Sequence, residues 1–425
     1  MSRKIAVVGG GASGMMAAIC AARNAGKENP GKYQITIYEK NDRIGKKILA
    51  TGNGKCNFTN LTLDKNCYRG SGEAIVEDIL RRFSPRDCVN FFKGLGMLTR
   101  EKNGYMYPAS EQASTVLDLL RMQLSYLGIR VLTECEILSI QKERQTKGVR
   151  FLMTAKQNGK KETYDADCVI LAAGGIAGVR QTKQEGAYAL LKALGLPVVS
   201  LAPALVQLRC KEEYMKAVAG VRFIGEATLY INQREVCREN GELQLTDYGV
   251  SGIPIFQLSR YAAYALQEKK QVQIHLNCLP GFSTEEYEDF CRTRTLQNRE
   301  QTAEEFFLGI CNKKLMLLFL KLAGIKPTEK MQTIPREKKA AMYGLLRDFP
   351  LTVCETNSFE QAQVCAGGLD MEAVDKNLQV LTIPGLYVTG ELLDVDGRCG
   401  GYNLQWAFAS GYVAGNSAVN SMEKK

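Results

Sequence analysis

Residues 5–14 read Ile-Ala-Val-Val-Gly-Gly-Gly-Ala-Ser-Gly, a short apolar run followed at once by closely spaced glycines. The pattern predicts a buried strand that leads into a G-x-G-x-x-G turn at Gly9, Gly11 and Gly14. In such a turn the first glycine permits a tight bend, the second lets the backbone approach a pyrophosphate, and the third lets a helix pack against the strand. Residues 13–25 are small and helix-compatible, so they predict a helix whose N-terminus faces the phosphates.

A second predicted strand follows, because residues 34–39 read Gln-Ile-Thr-Ile-Tyr-Glu. Its last residue, Glu39, stands where a carboxylate accepts hydrogen bonds from the hydroxyls of a ribose. Strand, glycines, helix, second strand and acid together predict a Rossmann-like dinucleotide-binding domain within an α/β fold. A glycine-rich turn in some other βαβ unit is the alternative.

The composition bounds the class of protein. The chain has 425 residues, enough for two or three domains, and 45% of them are hydrophobic and 24% charged, as in soluble globular proteins. No apolar run approaches the roughly 18 residues that a membrane helix needs. We therefore expect a cytoplasmic protein without a membrane partner.

Cysteine and histidine usage restricts the chemistry. Fourteen cysteines are present, none in a C-x-x-C arrangement, so we expect reduced thiols rather than a zinc ribbon or a redox dithiol. The single histidine, His275, lies in an alternating strand pattern over 272–277, which favours a structural role. We predict no metal site and no Ser-His-Asp triad.

The net charge of +10 favours an anionic ligand. Because the basic residues are scattered along the chain, we expect a small-molecule substrate and no nucleic-acid partner. The sequence predicts no oligomeric state.

The pattern changes along the chain. A loop rich in Gly, Asn and Thr occupies 41–60, and the apolar run of 167–175 predicts a strand that returns to the cofactor sheet. We predict a first part of the FAD-binding domain over 1–190, an inserted β-rich and helical substrate region over 191–365, and the rest of the FAD-binding domain over 366–425. Within the insertion the patterns predict strands over 198–235 and 272–279, and helices over 285–297, 301–323 and 337–347.

The C-terminal part returns to glycine. A predicted strand over 384–391 ends in Gly-Glu, and Gly400 and Gly401 precede a predicted helix from about Leu404. A cofactor bound by both ends of the chain must be long, which points to FAD. Its pyrophosphate would lie on the first turn, and its isoalloxazine would lie at the last helix N-terminus, where negative charge near N1 is stabilised.

Three blocks carry a family resemblance: residues 7–14, residues 51–60 and residues 390–407. On these blocks the chain resembles the HI0933-like flavoproteins, part of the two-dinucleotide-binding-domain flavoprotein group. Thr51 and Lys55 stand where the family usually shows Ser and Arg, and both keep the hydroxyl or the charge. The resemblance implies an FAD-binding domain interrupted by a β-barrel-like part and a helical part.

The predicted FAD contacts come from these blocks and from the strands around them. They are Gly9, Gly11, Ala12, Ser13, Gly14, Glu39, Lys40, Lys46, Thr51, Gly52, Gly54, Cys56, Asn57, Ile137, Ala173, Gly174, Gly390, Glu391, Asp394, Gly400, Gly401, Tyr402, Asn403 and Leu404.

The resemblance also implies an activity. Members are similar to NAD(P)H-linked flavin reductases, and one branch resembles bile-acid enzymes that reduce the 4,6-diene of 3-oxo steroids. Another branch resembles oxidases of small amino ketones, and a more distant alternative is a flavoprotein associated with RNA. The chain has only one G-x-G-x-x-G, so either NAD(P)H visits the flavin without a domain of its own, or another donor supplies electrons.

Reduction of an enone needs a hydride at the β-carbon and a proton at the α-carbon. Since no histidine is suited to that task, Tyr402, Tyr248 and Arg398 are the candidate proton donors, with water as a possible relay. Cys56 and Cys399 lie in the cofactor-contacting blocks. Either thiol contacts the flavin or serves only in packing.

Overall fold

The computed structural model describes residues 2–26, 31–145, 148–178 and 186–423. The chain divides into two compact units, each described here by itself. Unit 1 comprises residues 1–201 and 364–425, and unit 2 comprises residues 202–363.

The first segment of the chain supplies most strands and helices of unit 1. Its described elements are β1 (Arg3–Val8), α1 (Ala12–Gly26), β2 (Tyr33–Tyr38), α2 (Lys46–Leu49), β3 (Thr59–Asn60), β4 (Tyr68–Gly70), α3 (Glu73–Arg82), α4 (Pro85–Gly94), β5 (Thr99–Lys102), β6 (Tyr105–Pro108), α5 (Ala113–Tyr126), β7 (Arg130–Leu132), β8 (Cys135–Gln145), β9 (Gly148–Gln157), β10 (Lys160–Ala166), β11 (Cys168–Leu171), α6 (Tyr188–Ala193) and β12 (Val198–Ala204).

Unit 2 contains a closed antiparallel barrel in the strand order β13-β16-β15-β14-β17-β18. Its described elements are β13 (Leu208–Cys210), β14 (Arg222–Ile231), β15 (Arg234–Leu245), β16 (Gly249–Gly252), α7 (Ile253–Gln267), β17 (Val272–Asn277), α8 (Thr284–Gln297), α9 (Ala303–Phe306), α10 (Lys313–Leu322), α11 (Arg336–Arg347) and β18 (Phe349–Thr356). The barrel and its helices share one apolar core.

The chain then returns to unit 1 and completes its central sheet. The returning elements are β19 (Val364–Leu369), β20 (Leu386–Val388), β21 (Val395–Gly397) and α12 (Tyr402–Glu423). Five parallel strands run in the order β20-β11-β1-β2-β7. The apolar runs of β1 and β11 are buried, as in parallel sheets covered on both faces. The predicted Rossmann-type α/β fold with an inserted barrel and helices is confirmed.

Two helices of unit 1 pack unusually close together. A Cβ atom at Gly411 of α12 would lie 2.4 Å from the carbonyl oxygen of Ser13, and one at Gly415 would lie 2.2 Å from that of Ala17. Both distances are far below van der Waals contact, so only glycine allows α12 to approach α1 this closely.

Several predicted elements of unit 2 differ from the structure. The helix predicted over 301–323 is two helices, α9 and α10, because Gly309 adopts a left-handed backbone (φ 81°) and the side chain of Asn312 caps a new helix. The strand region predicted over 198–235 is interrupted by a 3-10 helix over Glu213–Val218. Helix α7 was not predicted, because its sequence lies between strand patterns and lacks a polar N-cap residue.

His275 has the structural position expected from its strand pattern. In β17, Val272, Ile274 and Leu276 are buried while the alternate residues face outward. The outward-facing imidazole lies 4.5 Å from the ring of Tyr230, centroid to centroid, at an interplanar angle of 47°, and its Nδ1 pairs with a carboxylate oxygen of Asp348. Within the described residues, no helix is both long and apolar enough to cross a bilayer.

The α1–α12 contact makes a stability prediction. Gly415→Ala should lower the free energy of unfolding by about 1–3 kcal/mol, because the added methyl group must displace the backbone of α1. Gly94→Ala is the matched control, since a Cβ there meets no heavy atom within 4 Å. Urea unfolding of both holoproteins measures the difference. Equal midpoints for Gly415→Ala and the wild type would contradict the close contact.

Candidate cofactor site

Of the three motif glycines in the turn after β1, Gly11 alone has open space beside it. Gly9 has a left-handed backbone (φ 106°) and donates its N–H to the carbonyl of Tyr38 at 2.8 Å. A Cβ at Gly14 would lie 2.0 Å from the oxygen of Gly9, whereas a Cβ at Gly11 would meet no heavy atom within 4 Å. The space at Gly11, next to the first residues of α1, has the position expected for a pyrophosphate.

Glu39 is fixed beside this turn. Its Oε2 accepts the N–H of Gly10 at 2.8 Å and its Oε1 accepts the N–H of Asn41 at 2.9 Å. A carboxylate oxygen has two lone pairs, so Oε2 keeps one acceptor position for a ribose hydroxyl. The backbone N–H of Cys135 donates to the carbonyl of Glu39, which brings β8 and its buried Ile137 next to the same strand end.

The two lysines predicted here lie at the surface. Lys40 is exposed immediately after Glu39. Lys46, at the start of α2, forms an ion pair with Asp42 one turn earlier. The Lys46 ammonium therefore already has a carboxylate partner within the protein.

The loop over 51–57 has a backbone that few sequences adopt. Gly52 and Asn53 are both left-handed, with φ of 56° and 53°, and Cys56 has φ 58°. The hydroxyl of Thr51 donates to the carbonyl of Ile48 at 2.6 Å, and the carbonyl of Thr51 accepts the N–H of Cys56 at 3.1 Å. Such tightly turned segments direct backbone N–H groups and small side chains toward a ligand.

This loop contacts the turn before α12. A Cβ at Gly401 would lie 2.7 Å from Oδ1 of Asn57. The side-chain amide of Asn60 donates to the carbonyl of Gly400 at 3.0 Å. Asn403 holds the turn from inside, because its Oδ1 accepts the N–H of Gly397 at 2.8 Å and its Nδ2 donates to the carbonyl of the same residue at 2.9 Å. Asn403 therefore shapes the turn with both ends of its side-chain amide.

Glu391 joins three other segments of unit 1. Its Oε2 accepts the N–H of Gly175 at 3.1 Å and pairs with Nζ of Lys47 at 2.7 Å, while its Oε1 accepts the N–H of Cys365 at 2.8 Å. This carboxylate positions the loop that contains Ala173 and Gly174. Lys47 was not among the predicted site residues, because no local pattern indicates a partner so distant in the chain.

Ser410 and Trp406 of α12 were also missed by sequence reasoning. Ser410 Oγ accepts the N–H of Gly390 at 2.9 Å, and Nε1 of Trp406 donates to the carbonyl of Gly390 at 3.1 Å. Both side chains are buried; Trp406 belongs to the block over 390–407 that was predicted to contact the cofactor, and Ser410 follows that block in α12. A polar side chain in or directly after a block that is predicted to contact the cofactor is the sequence signal that could have identified both residues.

FAD fits the polar groups that unit 1 leaves without partners. In the described part of this unit, two buried side-chain oxygens have no hydrogen-bond partner within the protein, Oδ1 of Asn57 and Oδ1 of Asp394. The other oxygen of Asp394 accepts the N–H of Ser71 at 2.9 Å. Buried acceptors require donors, and FAD carries ribityl hydroxyls and a flavin N–H. Both residues belong to the predicted cofactor set.

Two of the three candidate proton donors belong to the same turn. Tyr402 is buried at the start of α12, and its hydroxyl is hydrogen-bonded to Thr62 and Cys67. Burial raises the pKa of the Tyr402 phenol to about 12. Arg398 is half-buried, and its backbone N–H donates to the carbonyl of Cys67 at 2.9 Å.

The third candidate lies in unit 2. The hydroxyl of Tyr248 accepts a hydrogen bond from Nδ2 of Asn357 at 3.0 Å. The guanidinium of Arg209 lies over the Tyr248 ring, 4.8 Å from its centroid. These contacts hold the Tyr248 ring within the barrel unit.

The two cysteines of the predicted site remain protonated at neutral pH. Burial raises the pKa of the Cys56 thiol to about 11 and raises that of Cys399 as well. A thiol is a poor nucleophile until it ionises, so these environments favour a role in packing for both side chains.

All fourteen cysteines are free thiols. Among the described residues, no group of three His, Cys, Asp or Glu side chains is placed to hold a metal ion.

Comparison with known proteins gives consistent matches over the whole chain. The HI0933-like protein Rossmann domain family matches residues 3–417. A 3-dehydro-bile acid delta(4,6)-reductase of Clostridium scindens is 38% identical over 417 residues, which cover 98% of this chain and 99% of that protein. A ribosomal RNA dihydrouridine synthase of Haemophilus influenzae is 26% identical over 412 residues, 96% of either chain.

Among solved structures, the chain is similar to a 3-ketosteroid delta1-dehydrogenase from Sterolibacterium denitrificans in complex with 1,4-androstadiene-3,17-dione. The match covers 99% of this chain and 100% of the other, with a TM-score of 0.53 and 13% sequence identity. At this identity the likeness establishes a shared fold.

The open space at Gly11 makes a prediction about the cofactor. Gly11→Leu should abolish retention of the flavin while leaving the fold intact, because its side chain would enter the pyrophosphate space without striking the protein. Gly14→Leu is the contrasting variant, since its Cβ would strike the carbonyl of Gly9 and should prevent folding. Flavin absorbance and circular dichroism of the purified proteins test both. A Gly11→Leu protein that is fully loaded with flavin would contradict the assignment.

Proposed function

This chain belongs to the HI0933-like protein family, and we propose that it is an FAD-dependent enzyme that reduces a carbon–carbon double bond conjugated to a ketone. The proposed substrate class is a 3-oxo-4,6-diene steroid acid, with NAD(P)H as the electron donor. One observation carries the proposal: the 38% identity to a 3-dehydro-bile acid delta(4,6)-reductase extends over almost the full length of both chains.

The names of the two relatives describe related bond chemistry. Dihydrouridine differs from uridine by reduction of a ring double bond that is conjugated to a carbonyl group. A delta(4,6)-reductase acts on double bonds conjugated to the 3-oxo group that the name of its substrate class describes. In both cases a hydride and a proton add across an activated double bond. The family relationship therefore supports this reaction type independently of the size of the substrate.

A ribosomal RNA substrate is the second candidate function, supported by the 26% identity to the dihydrouridine synthase and by the net charge of +10. The steroid acid is favoured because the identity to the bile-acid reductase is higher over an equal length. An oxidase of a small amino ketone shares the same cofactor residues and is separated by its use of oxygen.

The protein's own residues have four tasks in the proposed reaction: they bind FAD, hold the substrate, exclude water and supply a proton. The Gly11 turn and Glu39 would bind the adenosine-pyrophosphate part of FAD, and the turn at Gly400 would adjoin its isoalloxazine. FAD, when bound, supplies hydride chemistry. The chain must then hold the dienone in place, exclude water and provide the proton for the α-carbon.

Tyr402 is the proposed proton donor. Its phenol stays protonated at neutral pH because burial raises its pKa to about 12, and it lies at the N-terminus of α12 beside the glycine turn. Thr62 and Cys67 lie next to this hydroxyl and can orient it. Arg398 and Tyr248 remain the alternative donors.

Anaerobic reduction of the holoenzyme tests the function. NADH and NADPH are added in turn while the flavin absorbance band is followed, and reoxidation is then measured separately with a 3-oxo-4,6-diene steroid acid, with oxygen and with uridine-containing ribosomal RNA. Bleaching by NAD(P)H and fast recovery with the steroid support the proposal. Reduction by an amino ketone with recovery only in oxygen would establish the oxidase instead, and recovery only with RNA would establish the second candidate.

The proton-donor assignment makes a separate kinetic prediction. Tyr402→Phe should lower kcat for the dienone by about 10²–10⁴-fold, the usual contribution of a general acid, while the rate of flavin reduction by NAD(P)H changes little. The wild-type rate should stay level through pH 10, where a tyrosine of ordinary pKa would be half ionised. Tyr126→Phe is the matched control, because it removes the hydroxyl of an exposed tyrosine at the end of α5. An unchanged kcat in Tyr402→Phe would assign the proton to another group.

A further inference from the structure

We infer that an exposed face of the small sheet formed by β3, β5 and β6 binds the carboxylate end of the substrate. This face, called the tyrosine–cation face below, consists of Arg100, Lys102, Tyr105 and Tyr107. The inference rests on the proposed function, because it assumes a substrate whose ring system lies at the flavin and whose acid group lies at the far end.

The strand register places these four side chains on one side of the sheet. Arg100 pairs with Tyr107 and Lys102 pairs with Tyr105 in the antiparallel hairpin of β5 and β6. Residues directly opposite each other, and residues two apart on one strand, point to the same face. Met106 projects to the other face and is buried, whereas both tyrosines are half-buried and both cations are exposed.

The tyrosine–cation face begins at the predicted flavin turn. On β3, Asn60 pairs with Tyr105, and its side-chain amide donates to the carbonyl of Gly400 at 3.0 Å. A Cβ at Gly400 would lie 2.7 Å from Cε1 of Tyr105. From Tyr105 the face extends outward by two residues, about 7 Å of strand, to Tyr107. The two half-buried tyrosine rings thus offer a partly apolar surface that begins beside the Gly400 turn.

Positive charge lies along this face. At the outer end, opposite Tyr107, Nη1 of Arg100 lies 3.0 Å from one carboxylate oxygen of Glu111, and Nζ of Lys55 lies 2.7 Å from the other. Lys102 is a third cation at the inner end, opposite Tyr105. Three cations and one carboxylate leave net positive charge, and all three cationic side chains are exposed to solvent. The arrangement complements one further compact anion.

The backbone at Glu111 indicates that this charge cluster is specified rather than incidental. Glu111 adopts a left-handed conformation (φ 52°), which a residue with a Cβ adopts only at a cost in free energy. The conformation directs its carboxylate between Arg100 and Lys55. Lys55 belongs to the loop over 51–57, so the cluster includes a residue from a loop of the predicted cofactor site.

A steroid acid matches both parts of the face. Its fused rings would lie over Tyr105 and Tyr107 with the 3-oxo ring toward Gly400, and its carboxylate would reach Arg100 at the outer end, while Lys102 adds positive charge along the face. The phosphates of NAD(P)H share the anionic chemistry but lack the fused apolar rings. An RNA strand would need a longer row of cations to match successive phosphates.

Calorimetric titration of the oxidised holoenzyme, without an electron donor, tests the inference. The ligands are a 3-oxo-4,6-diene bile acid and its methyl ester, which differ only in the charge of the side chain. The wild type should bind the acid about 10-fold more tightly than the ester, the factor that a charge-assisted hydrogen bond provides, and salt should weaken binding of the acid alone. In Arg100→Gln/Lys102→Gln the ratio of the two dissociation constants should approach one.

Arg81→Gln is the matched control, because it removes an exposed arginine of α3 that forms an ion pair with Asp78, one turn earlier in the same helix. It should keep the wild-type ratio. Equal binding of acid and ester by the wild type would overturn the inference. So would an Arg100→Gln/Lys102→Gln enzyme that keeps the wild-type ratio but binds NAD(P)H or a single-stranded RNA oligonucleotide more weakly.

The two proposals fail in different ways. Because the titration measures binding without turnover, selective binding of the acid in an enzyme that does not reduce the dienone would contradict the proposed function and leave the site established. Turnover of both the acid and the ester, together with equal affinity for the two, would support the proposed function and contradict the proposed carboxylate site.

Discussion

The close approach of α1 and α12 is the constraint on which the cofactor site depends. The glycines at 411 and 415 bring α12 within backbone contact of Ser13 and Ala17, at the start of the first helix. The two helices begin at the two predicted ends of the cofactor, one after the Gly9 turn and one after the Gly400 turn. A side chain at this interface would push α12 away from α1, and with it the Gly400 turn away from the Gly9 turn.

Many polar residues of the predicted site form hydrogen bonds within the protein, so they shape the site rather than bind the cofactor. Glu391 binds two backbone N–H groups and Lys47, and Asn403 binds the backbone of its own turn. By contrast, Asn57 and Asp394 each keep one buried oxygen without a partner in the protein. This division separates groups that shape the site from buried oxygens that remain to be satisfied by a ligand, and the second kind is suited to bind FAD directly.

The chemistry of the family narrows the function further than the fold does. Rossmann-type flavoenzymes share their cofactor turns whatever their substrates are. In this chain the flavin turn continues into a face with two tyrosines and three nearby cations, and that face is built from a short hairpin rather than from the cofactor motifs. The cofactor motifs thus bear on the redox chemistry, while the hairpin bears on the proposed substrate.

The sequence by itself determined the parallel sheet and the glycine turns after β1 and before α12, because these depend on local patterns of apolar residues and glycines. The family resemblance likewise rested on contiguous blocks. Only the tertiary structure decided that Glu391 pairs with Lys47, that Gly400 lies against Tyr105, and that the region over 301–323 breaks at Gly309. These outcomes depend on contacts between residues far apart in the chain, or on a backbone angle that glycine permits but does not require.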